Sequence, residues 1–321
     1  MGKVAASLAA VLAALALWAC GDGAEPGAPR GATLVLDFQP NAAHAGIYAA
    51  LDEGLYSDDG VDLEVREPST SSDAPKLLEA GRAQFAILDI HDLALARGAG
   101  FDVVGVAPIV QRPLAAVIAG DREAVRRPRD LEGGTVGVTG LPSDDAVLDS
   151  VLEADGADPG EVQRVTIGFE AVPTLAAGRV DAATAFWNVE GLALERRGVP
   201  TREFRVDDFG APRYPELVLV TTADLIASDP DLVEGMVKAT VEGYEIAVDD
   251  PEAALDSLIA GVDGLDPDEQ SAQLDALLPA LGPVGVLHSR ILEAWAKWDA
   301  QHGIVERPPD VDAAFDPEFL P

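Results

Sequence analysis

From residue 32 onward, short apolar runs alternate with segments of helical period. The runs at Thr33–Asp37, Val61–Val65, Phe85–Leu88, Val103–Val110, Ala115–Ile118, Thr135–Val138, Val162–Thr166, Ala182–Phe186 and Leu217–Thr221 read as strands, each bounded by turn residues. Between them the spacing predicts helices at Ala43–Glu53, Ala74–Ala80, His91–Arg97, Asp144–Asp155 and Val172–Ala177, with a further start near Val189–Arg197. Turn clusters such as "GADPGEV", "LEGGT" and "RRGVP" punctuate the series. This βαβ rhythm predicts an α/β chain with largely parallel sheets.

The second half changes character. Residues 229–305 are helical in pattern, at Leu232–Asp249, Pro251–Ile259, Pro267–Leu278 and Ser289–His302. Three openings, "SDPDLVEG", "DDPEAAL" and "LDPDEQ", place Asp and Pro where a helix start uses them. Residues 306–321, "ERPPDVDAAFDPEFLP", read as an extended tail on the surface.

With 321 residues, 48% of them hydrophobic, the chain can bury a large core, and two lobes are the natural division. Acidic residues outnumber basic ones 56 to 22, a formal net charge of −34. Such a surface repels nucleic acid and anionic lipid headgroups, so no nucleic-acid role is expected; it fits a highly soluble monomer.

At the N-terminus Lys3 precedes the apolar Val4–Leu17, short of the roughly 20 residues a spanning helix needs. Residues 1–19 therefore read as an export signal. "LWAC" looks like a lipobox, which makes Cys20 the lipidated first residue of the mature chain. Cys20 is the single cysteine, so neither an internal disulfide nor a cysteine metal cluster is expected. Residues 20–31, rich in Gly, Pro and Ala, form a flexible tether.

An exported chain with two α/β lobes and a helical C-terminal part suggests a bilobed solute receptor. The expected division is lobe 1 at 32–115 plus 219–305 and lobe 2 at 116–218, with the crossings in the strands near Ala115–Ile118 and Leu217–Thr221. Ligands in such folds bind where strand C-termini face the crevice.

Several stretches together resemble one family. "LDFQPNAAHAGIYAALDEGLY" (36–56), "GVTGLPSDDAVLDSVLEADGADPGEV" (137–162), "LAAGRVDAATAFWNVEG" (175–191) and "APRYPELVLVTT" (211–222) are similar to bacterial substrate-binding lipoproteins of the thiamine-pyrimidine (SsuA/THI5-like) type. That group is related to fungal pyrimidine-precursor synthases and, more distantly, to alkanesulfonate and nitrate receptors. The first stretch follows the family's D-aromatic-x-P-N-x-x-H-x-G signature, with Phe38 where Trp is commoner. The resemblance implies a type II periplasmic-binding-protein fold with hinge strands, and no chemistry performed. It also implies delivery of a 4-amino-2-methylpyrimidine, such as hydroxymethylpyrimidine or its formylaminomethyl relative, to an ABC permease and its ATPase. The protein would be anchored on the outer face of the cytoplasmic membrane.

A flat aminopyrimidine asks for ring faces to stack on and for carboxylates or amides at its edge. Asp37, Asn41, His44, Asn188 and Glu190 can supply the edge; Phe38, Phe186, Trp187 and Tyr214 can supply the faces. A charge-assisted hydrogen bond contributes about 1.5–3 kcal/mol, and stacking of a base-like ring on an aromatic about 1–3 kcal/mol. Each residue also has a plainer use. Asp37 suits a turn cap, and His44 can satisfy a backbone carbonyl. One of Phe186 and Trp187, adjacent on a strand end, packs in the core, with Phe186 the better candidate for the cleft. Glu190 suits a helix start, and Tyr214 suits packing beside the second crossing. Asp89 and His91, at another strand-to-helix junction, form a second tier.

The loop Thr139–Ser143 has the form of an anion-binding helix start. However, Asp144 and Asp145 occupy the first turn, and no Arg or Lys lies in the cleft motifs, which disfavours sulfonate, nitrate or phosphorylated ligands. Ser143 reads as the N-cap. An enzyme of the fungal-synthase type would need metal ligands and a cofactor lysine. The four histidines, His44, His91, His288 and His302, form no metal-binding spacing, and only Lys76, Lys238 and Lys297 follow the signal. No cofactor or metal is expected. The rivals that remain are the same fold serving another heterocycle, an organic anion, or a sensor input.

Overall fold

The computed structural model describes residues 29–70, 73–120 and 123–321. The expected export signal and Cys20 lie outside the described residues. Among the described residues ten strands form two five-stranded sheets. The first is built from β1 (Arg30–Val35), β2 (Val61–Arg66), β3 (Phe85–Asp89), β4 (Val103–Val110) and, after an excursion through the second, β10 (Leu217–Thr222), in the order β2-β1-β3-β10-β4. The second holds β5 (Ala115–Ala119), β6 (Thr135–Val138), β7 (Gln163–Thr166), β8 (Ala182–Phe186) and β9 (Arg202–Arg205), in the order β7-β6-β8-β5-β9.

The sheets are mixed rather than largely parallel. β1 runs parallel to β2 and β3, and β6 parallel to β7 and β8. The strands next to the crossings reverse the pattern: β10 is antiparallel to β3 and β4, and β5 antiparallel to β8 and β9. A chain that enters each sheet from the other lobe arrives without a helical crossover, so nothing imposes the parallel sense. The crossings themselves are the segments between β4 and β5 and between β9 and β10, not the strands: Ala115 already pairs with Phe186, and Leu217 with Asp89. Arg30 and Gly31, expected in the tether, are the first residues of β1, opposite Val61 and Asp62.

Strand alternation explains why these runs are apolar throughout. Leu34, Phe85, Ile87, Leu217 and Leu219 feed a core on one side of the first sheet, while Val35, Ala86, Leu88, Val218 and Val220 feed a core on the other. The helices form where the Asp-Pro openings put them. Asp229, Asp250 and Asp266 accept from the backbone N–H groups of Leu232, Ala253 and Glu269, starting helices Pro230–Asp249, Pro251–Gly261 and Pro267–Leu281.

The C-terminal residues are not an exposed extension. Val311–Ala314 forms a helical turn, Phe315 is buried, and Asp316 N–H donates to the Gly105 carbonyl at 2.9 Å. They cover the β4 edge, where Gly105 leaves room that the Phe315 ring fills.

Candidate functional site

The cleft lies where the ends of β1, β3 and β8 meet the loop after β6 and the segment before Ala171, and it encloses about 120 Å³. Phe38 and Phe169, from opposite lobes, meet edge to face across it with ring centroids 4.6 Å apart. Asp37, Phe38, Asn41, Asp89, Phe186, Asn188 and Glu190 all line it, bringing seven of the ten expected ligand residues together.

The first signature is built around a 3-10 turn, Ala42–His44. Asn41 Oδ1 accepts from Ala43 N–H at 2.9 Å, and Asn41 Nδ2 donates to the Gln39 carbonyl at 2.9 Å. One N–H and one lone pair of that amide thus hold the turn. His44 is completely buried and lies beneath the cleft rather than in it. Its Nδ1 accepts from Asn41 N–H at 3.1 Å, which leaves the proton on Nε2 to donate to Asp37 Oδ1 at 2.9 Å. His44 therefore aims Asp37. The signature glycine has a packing reason: a Cβ on Gly46 would lie 2.6 Å from the Tyr244 ring, where Tyr244 Oη donates to the Ala43 carbonyl.

Trp187 and Tyr214 do not reach the cleft. Trp187 is buried, donates from Nε1 to the Pro113 carbonyl at 3.1 Å and carries the Arg205 guanidinium 3.9 Å above its ring. Tyr214 packs edge to face on His91 (4.7 Å) behind the second crossing, the hinge-packing role. His91 is buried against Asp299, Nδ1 to Oδ1 at 2.7 Å, and faces away from the ligand space.

On the second lobe the chain leaves β8 through a single π-helical turn, Trp187–Gly191, before helix Leu192–Arg196. This turn puts Asn188 and Glu190 into the cleft and Trp187 into the core. Glu190 Oε2 accepts from Phe186 N–H at 3.0 Å. Asn188 is fully buried, and neither Oδ1 nor Nδ2 has a partner.

Sequence reasoning missed Phe169, Asp92 and the cleft-facing position of Asp144. Asp144 stands in the first helical turn as expected and also reaches back: its Oδ2 accepts from the backbone N–H of Thr139 at 2.7 Å and from the Thr139 hydroxyl. Asp145 turns the other way, to Arg164 at 3.0 Å. Ser143 is not the N-cap of helix Pro142–Ala154; Leu141 holds that position, and Ser143, the second residue of the helix, lines the cleft. The Asp-Asp pair carried no signal that separated the two side chains.

Five carboxyl groups, Asp37, Asp89, Asp92, Asp144 and Glu190, thus face one space, and no Lys, Arg or His is among the described residues lining it. Burial, with the Asp144 charge adding to it, raises the Glu190 carboxyl to about 7. Burial raises Asp144 to about 6, against the opposing effect of the Thr139 donors. Asp92 is held well above the usual range by burial and then by the neighbouring Asp89 charge. The site is a proton-rich acceptor surface with two aromatic walls.

Two α/β sheets joined by two crossings, with a polar cleft between them, define a bilobed binding-protein fold. It is similar to the alkanesulfonate-binding protein SsuA from Xanthomonas axonopodis pv. citri, solved bound to MOPS, with a TM-score of 0.74 at 17% identity over 90% of this chain and 99% of that one. The family described as NMT1/THI5 like matches residues 41–254, and the chain belongs to that family. Among its relatives, the formylaminopyrimidine-binding protein of Halalkalibacterium halodurans is 30% identical over 291 residues, 88% of each chain. The 4-amino-5-hydroxymethyl-2-methylpyrimidine phosphate synthase of Legionella pneumophila subsp. pneumophila is 24% identical over 229 residues, 70% of this chain and 72% of that one.

Proposed function

We propose that this protein is an extracytoplasmic receptor that binds a small 4-aminopyrimidine, a thiamine precursor, and delivers it to an ABC importer without transforming it. The observation that carries the ligand class is Asn188. A buried amide with both ends unpaired costs several kcal/mol in isolation, so it is kept for a partner with a matching edge. The 4-amino group and adjacent ring nitrogen of such a pyrimidine supply that edge: the amine donates to Oδ1, and the ring nitrogen accepts from Nδ2. Glu190 and Asp37 take the remaining amine N–H and, when the second ring nitrogen is protonated, its N–H, and Phe38, Phe169 and Phe186 supply the faces. The relatives' names and the base-free lining agree with this reading. An anion such as a sulfonate would meet five carboxyl groups and no counter-charge.

Export and lipid attachment at Cys20 belong to the same proposal and rest on the lipobox-like residues 17–20; among the described residues no helix is long and apolar enough to cross a membrane. Native mass spectrometry of protein purified from its own host tests the ligand class by the mass retained, with a thermal-shift panel alongside. An aminopyrimidine mass and a selective rise in melting temperature support it; a retained sulfonate or other anion refutes it.

A further inference from the structure

Helix Ser289–Gln301 contributes no residue to the cleft lining, yet it carries a carboxyl group into the protein interior. Trp295, Trp298 and Asp299, spaced by three and four, share one face of this helix, and that face covers His91. The side chains of His91 and Asp299 are 1% and 0% exposed. His91 Nδ1 meets Asp299 Oδ1 at 2.7 Å, a charge-assisted distance, whereas Trp295 Nε1 approaches the same nitrogen only to 3.3 Å. The Tyr214 and Trp298 rings stand 4.7 and 5.4 Å from the imidazole. The titratable groups around the pair are Asp89, Asp92, Glu216, the Tyr214 phenol, and His302 stacked on Trp298. Burial alone would strip the proton from His91, but the charges of Asp299 and then Asp89 outweigh it and raise the imidazole to about 10.

A buried ion pair is a poor source of stability, because apolar groups of the same volume serve about as well; what it adds is a defined position. Here the position is that of the first turn of helix Ile90–Gly98. His91 N–H donates to Asp89 Oδ1 at 2.7 Å, and Ile90 N–H donates to the Glu216 carbonyl at 2.9 Å, beside the second crossing. Asp89 in turn lines the cleft. Two 2.7 Å contacts therefore lead from the C-terminal helix, through His91, to a carboxylate that faces the ligand space.

We propose that Asp299 and His91 are positioning residues: their buried ion pair fastens the start of helix Ile90–Gly98 to the C-terminal helix and so holds the Asp89 carboxylate toward the ligand. The role in binding rests on the cleft being the ligand site proposed above; the tie itself does not. In unliganded protein labelled with nitrogen-15 histidine, His91 should carry protons on both ring nitrogens at pH 8. A neutral ring would overturn the ion pair. His91→Leu/Asp299→Ala replaces the pair by apolar groups of similar combined volume, so it should melt close to wild type. Its amide protons at Ile90 and position 91 should nonetheless exchange at least about tenfold faster; unchanged protection would overturn the tie. Asp299→Asn, nearly isosteric, should leave His91 neutral at pH 8 and speed the same two amides; a ring still doubly protonated there contradicts the proposal.

For binding, the probe is 4-amino-5-hydroxymethyl-2-methylpyrimidine. Asp89→Asn should cost about tenfold in affinity in the wild-type background but no more than about threefold in His91→Leu/Asp299→Ala, where the carboxylate is no longer held. Equal costs in the two backgrounds contradict the positioning role, because a purely structural pair would leave the effect of Asp89 additive. If the wild type itself does not bind the pyrimidine, the ligand assignment falls, while ring protonation and amide exchange still decide the tie.

Discussion

Replacing Glu190 by Gln should make the free protein more stable at alkaline pH while weakening its hold on ligand. Glu190 lies half-buried among other carboxyls, and its carboxyl is raised from 4.5 to about 7 by burial and then by Asp144. A carboxyl whose folded-state pKa is raised stabilises the fold below its unfolded value and withdraws that contribution as pH rises through the folded value. The shift of roughly 2.5 pKa units corresponds to about 3.4 kcal/mol when complete. Integrated between pH 5 and pH 8, about 2.5 kcal/mol of it develops, with cleft water reducing the figure. Gln keeps the acceptor for Phe186 N–H and carries no charge. The assay is urea unfolding of both proteins at pH 5 and pH 8, because the difference of differences cancels any pH-independent packing change. The variant should gain about 1–2.5 kcal/mol relative to wild type on going to pH 8, and should bind the pyrimidine about one to two decades more weakly. A pH-independent stability difference would refute the claim that the cleft buries an unneutralised carboxylate.

Three further perturbations test other parts of the account. Gly46→Ala should destabilise by about 1–3 kcal/mol in denaturant unfolding, because the new methyl meets the Tyr244 ring at 2.6 Å; equal stability would show that the two helices slide apart freely. His44→Ala should lower affinity about tenfold, since Asp37 loses its Nε2–H donor and Asn41 N–H its acceptor; unchanged calorimetric affinity would remove His44 from the site's support. A double-mutant cycle of Phe38→Ala and Phe169→Ala on ligand affinity should give a coupling of about 0.5–1.5 kcal/mol; additivity would mean that the two rings do not close on each other over the ligand.

Much of this arrangement was legible in the chain. Apolar runs with flanking turns located nine of the ten strands, and Asp-Pro pairs located three helix starts to within a residue or two. β9, "REFR", escaped because a strand of alternating charges has no apolar run to show. Strand direction escaped because a crossing from the other lobe leaves no mark in hydrophobic period. At the site, the signature pointed to the right neighbourhood, but spacing does not say which side chain faces in. Trp187 and Asn188 are neighbours, and the π-helical turn that sends one to the core and the other to the cleft is a tertiary outcome. His44 resembled a ligand group because the residue types that bind ligands also build tight polar turns; Asn41 does both, capping its turn while it lines the cleft. Phe169 sits in a loop and pairs with Phe38 only once the lobes are in place.

An acidic cleft with a waiting amide, and no Lys, Arg or His among the described residues lining it, should take an aminopyrimidine and reject anions. Calorimetric titration of ligand-stripped protein with 4-amino-5-hydroxymethyl-2-methylpyrimidine, and separately with an alkanesulfonate, tests it most directly. The pyrimidine should saturate one site at about micromolar Kd or tighter, weakening at least roughly tenfold in Asn188→Ala, with no sulfonate heat. Saturable sulfonate binding with no response to the pyrimidine would contradict it.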